Sequence, residues 1–328
     1  MFRAPLIVLV VTAGLLAAGC GDSSRSSSAP PGATMAPADI TVALDWYPNP
    51  DHVGLFSAMD KGMFAARGLT VQTEEPSDVS DPIKLVAAGR ADVGISYEPE
   101  LFFAQQQHAP VVAVAAIVPT ALNSIITTEQ GITTPAGLRG KTIGVDGSAS
   151  TSAYVETVLR TAGLAPSDVH LVTVGFNLLP ALLAGRVDAI AGGFQNIEGA
   201  ELAARGLHPV VFPVDRYGVP GYDELVVVAN SERLASDGGY RREVRAFVSA
   251  LAAGTVYAKA HPAAALAVMR ANSSRDYKNA LATSVPETLR LLDTTALDPA
   301  AWNRFGRWMQ AQGLLKSPPD GAALVARP

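Results

Sequence analysis

Apolar and polar positions along the chain fall into two alternating patterns. Short runs rich in Val, Ile and Thr predict strands, and segments with apolar residues every three or four positions, several ending at glycine, predict helices. The predicted strands are ITVALDW, LTVQTEE, ADVGISY, the two runs from PVVAVAAIV to SIITTEQ, GKTIGVDG, VHLVTVG, VDAIAGGF and ELVVVAN. The predicted helices are HVGLFSAMDKGMFAARG, DPIKLVAAG, STSAYVETVLRTAG, NLLPALLAG and those from about Tyr240 to Gln312. This alternation predicts an α/β fold with parallel sheets flanked by helices.

The chain contains an internal repeat. LVAAGRADVGIS at 85–96 matches ALLAGRVDAIAG at 181–192, so that a short helix, the motif A-G-R-x-D and an apolar strand follow one another twice. The repeat predicts two lobes that share one βαβ plan. An alternative is that any turn from a helix to a strand favours Gly and Asp.

The lobes and their cleft can be located from the order of the elements. We expect lobe 1 to begin with 40–127, lobe 2 to occupy 128–219, and 220–328 to return to lobe 1 and add the C-terminal helices. Ligands of open α/β sheets bind beyond the carboxyl ends of the strands. The segments directly after strands, which should line one cleft between the lobes, are 45–52, 97–98, 147–151 and 194–198.

The first 39 residues have the pattern of an export signal followed by a tether. Arg3 precedes an apolar run from Ala4 to Ala18, which is long enough for a signal-peptide core and short for a membrane span. We expect a signal peptide at 1–19, a lipid-modified Cys20, and a Ser-, Pro- and Gly-rich flexible tether at 20–39. Cys20 is the one cysteine, so a disulfide within the chain is impossible. The alternative for Cys20 is an incidental thiol.

Composition narrows the function classes. The formal net charge is −5, and no basic cluster follows the signal segment, which argues against nucleic-acid binding. No later stretch resembles a membrane span. The five scattered histidines form no metal-ligand pattern, and neither a G-x-S-x-G turn nor a Walker loop is present.

Several motifs, in order, carry a family resemblance. They are DWYPNPDHVGLFSAMDKGMF, the two A-G-R-x-D turns, LRGKTIGVDGS, VGFNLLPALLAGRVDAIAGGFQNIEG and YGVPGYDELVVVAN, within residues 40–235. Together they resemble the bacterial pyrimidine-binding proteins, which are substrate-binding lipoproteins of ABC transporters for thiamin pyrimidine precursors such as formylaminopyrimidine or hydroxymethylpyrimidine. The resemblance implies a two-lobed type II periplasmic-binding-protein fold, with a parallel-rich sheet in each lobe and a two-segment hinge. It also implies an exported, lipid-anchored monomer that serves a membrane permease and carries no cofactor.

An aminopyrimidine in the cleft would need aromatic faces and polar groups at the ring edge. Glu198 is expected to accept from the exocyclic amine or to share a proton with a ring nitrogen. The other candidate ligand-binding residues are Trp46, Asn49, His52, Tyr97, Glu98, Ser148, Ser150, Phe194, Asn196 and Tyr222. Each has a structural alternative: Trp46 as a core residue, Glu198 as an acid at a helix start, and Ser148 or Ser150 as an N-cap.

Three other functions remain open. The turn at 147–151 offers backbone N–H groups and hydroxyls that could hold a sulfonate or nitrate. Riboflavin would use the same aromatic faces. The pyrimidine-binding proteins also share a superfamily with the eukaryotic thiamin-pyrimidine synthases, which implies a pyridoxal phosphate lysine and a histidine. This chain has Ser96 and Glu100 at those positions and no cysteine in YGVPGYDELVVVAN, so we expect no enzyme activity.

Overall fold

A computed structural model of the chain describes residues 37–274, 277–293 and 297–328. The predicted signal peptide, Cys20 and nearly all of the predicted tether lie outside the described residues. Within the described ranges, no helix is both long enough and apolar enough to cross a membrane.

Two five-stranded sheets form the centre of the protein. The first sheet contains, in spatial order, β2 (Leu69–Glu74), β1 (Ala38–Ala43), β3 (Val93–Ser96), β10 (Leu225–Asn230) and β4 (Val111–Val118). The second contains β7 (His170–Thr173), β6 (Thr142–Val145), β8 (Ala189–Phe194), β5 (Asn123–Thr127) and β9 (Val210–Pro213).

Helices connect the strands and complete the C-terminal part. The helices are α1 (Val53–Asp60), α2 (Asp81–Ala87), α3 (Glu98–Gln106), α4 (Ala149–Thr161), α5 (Leu178–Leu183), α6 (Ala200–Ala204), α7 (Ser231–Ser236), α8 (Gly238–Ala260), α9 (Pro262–Asn272), α10 (Leu281–Leu291) and α11 (Pro299–Ala311). The predicted long helix at 52–68 is therefore only α1, followed by a 3-10 turn at Ala65–Arg67. Helix α3 was missed, although Pro99 at its start is typical of a helix N-terminus.

The two sheets follow the same plan. In each sheet four strands point the same way and the fourth strand in the spatial order is reversed, which is β10 in the first sheet and β5 in the second. The predicted two-lobed α/β fold is confirmed, and the sheets are mixed rather than purely parallel. All six residues of β10 and all eight of β4 are buried, which explains why these strands are continuous apolar runs.

The repeated motif is the junction between a helix and the third strand of each sheet. The glycine of each copy has a left-handed φ, 67° in the first and 65° in the second, which ends the helix. Asp92 accepts a hydrogen bond from the Thr41 backbone N–H at 3.0 Å, and Asp188 accepts from the Thr142 N–H at 2.7 Å. Each aspartate thus ties the start of the third strand to the second strand of its sheet, so the shared residues have a shared structural role.

The chain crosses between the sheets twice. The first crossing lies between β4 and β5 and the second between β9 and β10. The sequence analysis placed β5 in lobe 1, before its limit at residue 127, whereas β5 pairs with β8 and β9 of the second sheet. Two consecutive apolar runs indicate strands but not their partners, because pairing between distant segments leaves no local pattern. The lobe limits themselves stay a prediction.

Helix α8 packs closely against α1 through two glycines. A Cβ atom on Gly254 would lie 2.2 Å from the backbone oxygen of Gly54, and a Cβ on Gly54 would lie 2.3 Å from the Thr255 hydroxyl. The two helix backbones can therefore approach only because both positions lack a side chain.

We expect Gly254→Ala to lower the free energy of unfolding by at least roughly 1–3 kcal/mol, because the added methyl group forces the two helices apart. Urea denaturation measures this loss. Gly131→Ala is the matched control, since a Cβ there has no atom within 4 Å, and it should change stability by less than about 0.5 kcal/mol. Equal stability of the Gly254 variant and the wild type would contradict the close approach.

Candidate functional site

Residues from the strand ends of both sheets meet around two adjoining hollows. The first, which we call the Glu198 hollow, is lined by Trp46, Tyr97, Phe194 and Glu198, among others. The second, which we call the Asp146 hollow, is lined by the same three aromatic residues and by Asp146, among others. Trp46 follows β1 and Tyr97 follows β3 in the first sheet, whereas Phe194 ends β8 in the second. Trp46 and Glu198 thus line one hollow between the sheets.

Both hollows are small in this conformation. Each has a cavity volume of about 20 Å³, roughly the space that one water molecule needs. An aromatic ring would enter only if the lobes or the aromatic side chains moved apart, as in the hinge closure of two-lobed binding proteins.

The aromatic side chains are held by specific contacts. Trp46 is 8% exposed and its ring lies 3.9 Å from the Phe176 ring, at an interplanar angle of 45°. The Trp46 Nε1–H donates to the Tyr277 hydroxyl at 2.9 Å. Trp46 therefore packs against other aromatic residues and still lines the hollow. The predicted strand ITVALDW ends at Ala43, which frees Trp46 from the sheet.

Glu198 lies on a turn of π-helix, Gln195–Gly199, directly after β8. Its carboxylate accepts from the Phe194 backbone N–H at 2.7 Å and forms a hydrogen bond with the Tyr277 hydroxyl. Burial raises the pKa of Glu198 from 4.5 to about 7, and these hydrogen bonds offset only part of that rise. A carboxyl group with such a pKa can donate or accept near neutral pH.

Asp45 is the centre of a buried hydrogen-bond network beside Glu198. It accepts from the Tyr97 hydroxyl at 2.7 Å and from His52 Nε2 at 2.8 Å. The Asn49 backbone N–H donates to His52 Nδ1 at 3.3 Å, which assigns the imidazole proton to Nε2. The Asn49 side chain lines the hollow, but its oxygen caps the Asp51 N–H and its nitrogen donates to the Tyr47 carbonyl.

Four of the predicted ligand-binding residues do not line either hollow. They are His52, Glu98, Asn196 and Tyr222. His52 instead orients Asp45, as described above.

Tyr222 and Glu98 have structural contacts. The Tyr222 ring stacks on Phe305 at 4.6 Å and its hydroxyl donates to Glu224 at 2.8 Å. The Glu98 carboxylate accepts from the Asp223 backbone N–H at 2.7 Å, which joins α3 to the second crossing segment. Their positions near strands were predicted from the sequence. Side chains alternate between the two faces only within a strand, so the direction of a side chain outside the strand cannot be predicted in this way.

Asn196 connects three elements behind the cleft. Its Nδ2 donates to Asp51 at 2.7 Å and to the Thr288 hydroxyl at 2.8 Å. The π-helical turn places Asn196 on the side away from the two hollows, where it lines a separate hollow with residues of α10. A five-residue turn of this kind was not predicted, and no local pattern separates Asn196 from Glu198.

The three hydroxyls of the turn at 147–151 are engaged within the protein. The Asp146 carboxylate accepts from the Ser148 N–H at 2.8 Å, the Ser148 hydroxyl at 2.9 Å and the Thr151 hydroxyl at 3.0 Å. Ser148 also caps α4 through Thr151 N–H, and Ser150 donates to Ser148 at 3.2 Å. Both serines line the Asp146 hollow, where their hydroxyls already bond to other groups of the protein.

Several acidic residues of the cleft were not among the predicted ligand-binding residues. Asp146, Glu100 and Glu224 all line the Asp146 hollow. Burial is the main cause that raises the pKa of each, to about 7 for Glu100 and Glu224. Asp146 directly follows β6 and could have been found by the rule that identified Glu198. Among residues 37–274, 277–293 and 297–328, no lysine or arginine lines either hollow.

The cleft does not fit a pyridoxal phosphate site. Ser96, at the position of the synthase lysine, is fully buried and lines neither hollow. An imine to the cofactor requires an amine, and none of the described side chains in the cleft supplies one. In the same described ranges, no group of three or more His, Cys, Asp or Glu side chains is placed to hold a metal ion.

Comparisons with known proteins agree with the architecture. A family model described as NMT1/THI5 like matches residues 49–265. The chain is 34% identical over 288 residues to a putative thiamine biosynthesis protein of Haemophilus influenzae, and this alignment covers 86% of this chain and 90% of the relative. It is 32% identical over 324 residues to the formylaminopyrimidine-binding protein of Halalkalibacterium halodurans, which covers 95% of each chain.

Two further comparisons concern fold and chemistry. The alkanesulfonate-binding protein SsuA from Xanthomonas axonopodis pv. citri superposes with a TM-score of 0.71 at 18% identity, over 90% of this chain and all of that one, which shows the fold alone. The Saccharomyces cerevisiae protein named 4-amino-5-hydroxymethyl-2-methylpyrimidine phosphate synthase THI5 is 27% identical over 239 residues, covering 70% of this chain and 69% of that one.

The raised pKa of Glu198 predicts a pH dependence of stability. Because the folded protein binds this proton more tightly than the unfolded chain, Glu198 makes the folded state lose stability as pH rises from about 4.5 to about 7. Glu198→Gln, which mimics the protonated acid, should reduce this loss by up to roughly 1.4 kcal/mol per pH unit. Urea denaturation at pH 5, 6 and 7 measures it. The exposed Glu75→Gln should keep the wild-type slope, and a wild-type slope in the Glu198 variant would contradict the raised pKa.

Proposed function

Because the chain belongs to the NMT1/THI5-like family and has the fold of periplasmic binding proteins, we propose that it binds a thiamin pyrimidine precursor and delivers it to an ABC permease. The relative named as a formylaminopyrimidine-binding protein supports this ligand class, since the two chains align over 95% of both lengths.

The observation that carries the proposal is the position of Glu198 beside Trp46, Tyr97 and Phe194 in one hollow. Aromatic faces can stack on a flat heterocycle, and a carboxyl group at the ring edge can accept from an exocyclic amine. With a pKa of about 7, Glu198 can also share its proton with a ring nitrogen. A ligand that left this buried carboxyl group unpaired would bind less tightly, which provides selectivity.

The electrostatics of the cleft favour a neutral or cationic ligand over an anion. The Asp146 carboxylate already accepts from the Ser148 N–H and from the Ser148 and Thr151 hydroxyls, and further acidic residues line the same hollow as the aromatic faces. A sulfonate or nitrate would meet this negative charge, and no lysine or arginine among the described residues lines either hollow to offset it. Likeness to a sulfonate-binding protein at 18% identity concerns the fold and does not favour its ligand.

The size of the cleft favours a single ring over riboflavin. Two adjoining hollows of about 20 Å³ need a modest opening for one pyrimidine, whereas a three-ring flavin would require a much larger displacement of Trp46 and Phe176. The absence of an amine at Ser96 supports binding without catalysis, and we assign no enzyme activity to the chain.

Export and lipid attachment complete the proposed role. The apolar run before Cys20 and the polar tether after it would keep the binding lobes close to the membrane and raise their effective concentration near a permease. The protein would act as a lipid-anchored monomer on the outer face of the cytoplasmic membrane or in the periplasm.

We expect residues 40–328 to be stabilised thermally by a 4-aminopyrimidine and not by taurine or nitrate, because only the pyrimidine satisfies Glu198. Glu198→Ala should remove most of the ligand-induced rise in melting temperature, which differential scanning fluorimetry measures. Glu75→Ala, at an exposed carboxylate, is the control and should keep the full rise. Stabilisation by taurine instead of the pyrimidine would contradict the proposed ligand class.

We expect Cys20→Ser to abolish incorporation of labelled fatty acid into the full-length protein, because the thioether needs the thiol. The variant should move from the membrane fraction to the soluble fraction, as seen by immunoblotting. Ser26→Ala in the tether is the control and should stay labelled. Labelling of the Cys20 variant would contradict lipidation at this residue.

A further inference from the structure

The Asp146 hollow has an acidic wall with one carboxylate that the protein does not use. Asp146 is engaged by Ser148 and Thr151, and Glu224 accepts from backbone N–H groups of the first crossing segment. Glu100, in the first turn of α3, also lines this hollow. In the described part of the chain, no hydrogen bond or ion pair engages the Glu100 carboxylate.

A second and independent observation points to a ligand donor in the same hollow. The Asn123 side chain lines the hollow and is only 7% exposed. Its oxygen is buried and accepts no hydrogen bond from any described residue, although the Asn123 backbone N–H is bonded to Glu224. A buried acceptor without a donor is costly, so the arrangement is complete only when a bound molecule supplies one.

We propose that this hollow binds a primary ammonium group carried by the ligand, with Glu100 as its anionic partner and the Asn123 oxygen as a further acceptor. The inference rests on the proposed function, because the Glu198 hollow must hold the ring from which the ammonium extends. Trp46, Tyr97 and Phe194 line both hollows, so a ring beside them would adjoin the acidic wall. The cleft would then prefer a pyrimidine with an aminomethyl substituent.

Charge favours an ammonium group over the alternatives. A phosphate ester would meet Glu100, Asp146 and Glu224 with like charge. An uncharged hydroxymethyl group would fit but would form weaker hydrogen bonds, since bonds to ionised groups are about twice as strong as neutral ones.

The environment of Glu100 is consistent with a missing cation. Burial and the nearby Asp146 raise the pKa of Glu100 to about 7. Lys84, which does not line the hollow, lowers this pKa by less than either of them raises it. An ammonium group between Glu100 and Asp146 would offset their mutual repulsion.

The test compares two ligands that differ only in this group. Isothermal titration calorimetry of residues 40–328 would use 4-amino-2-methylpyrimidine with either a 5-aminomethyl or a 5-hydroxymethyl substituent at pH 7.5. We expect the aminomethyl compound to bind at least about tenfold more tightly. Glu100→Gln, which keeps size and removes charge, should reduce the ratio of the two dissociation constants to within about threefold. Glu75→Gln is the matched control and should keep the wild-type ratio.

Each outcome separates this inference from the proposed function. The 5-formylaminomethyl compound is titrated as a third ligand, because the relative named as a formylaminopyrimidine-binding protein supports that ligand. Binding of none of the three pyrimidines would contradict the proposed function itself, whereas binding of the formylaminomethyl compound alone would overturn the ammonium site and leave the proposed function intact. Equal binding of both, or preference for the hydroxymethyl compound, would overturn the ammonium site and leave pyrimidine binding intact. An unchanged ratio in Glu100→Gln would remove Glu100 from the site. Because the readout is a ratio for one variant, a general loss of folding cannot imitate the expected result.

Discussion

One buried carboxylate joins the two segments that cross between the sheets. Glu224, just before β10, accepts from the Leu122 N–H at 2.6 Å, the Asn123 N–H at 2.8 Å and the Tyr222 hydroxyl at 2.8 Å. Both crossing segments are thus fixed to each other at the point where the chain passes between sheets. Burial raises the pKa of Glu224 to about 7, because the buried carboxylate has lost its hydration. The three hydrogen bonds offset part of this desolvation cost, so the loss of any one donor would destabilise the connection. This connection between the two crossing segments holds the sheets next to each other, so that strand ends of both sheets face one cleft.

The cleft that results is aromatic and acidic. Trp46, Tyr97 and Phe194 provide faces, while Asp45 is held by Tyr97 and by His52 from behind. The same fold hosts sulfonate-binding proteins, which illustrates that the architecture sets the position of the site and the side chains set its chemistry. In this chain the Ser148 N–H and the hydroxyls of Ser148 and Thr151 are bonded to Asp146, so these three donors serve the protein's own carboxylate.

The sequence predicted the order of most elements along the chain and the residues that follow strand ends, and Trp46, Phe194 and Glu198 from those segments line one hollow. It did not predict which sheet β5 joins, because strand pairing over long distances has no local pattern. Tyr222 and Asn196 were assigned to the cleft from their neighbours along the chain, but stacking on Phe305 and the π-helical turn direct them elsewhere. Glu224 was missed because an isolated acid before an apolar strand resembles an ordinary turn residue.

The central claim is that strand ends of two similar sheets enclose one flat, nitrogen-bearing ring between aromatic and acidic side chains. The most direct measurement is the mass of the small molecule released from the protein after purification from its native cells. The account predicts an aminopyrimidine, recovered in stoichiometric amount from the wild type. A sulfonate, nitrate or flavin recovered in that amount would contradict it.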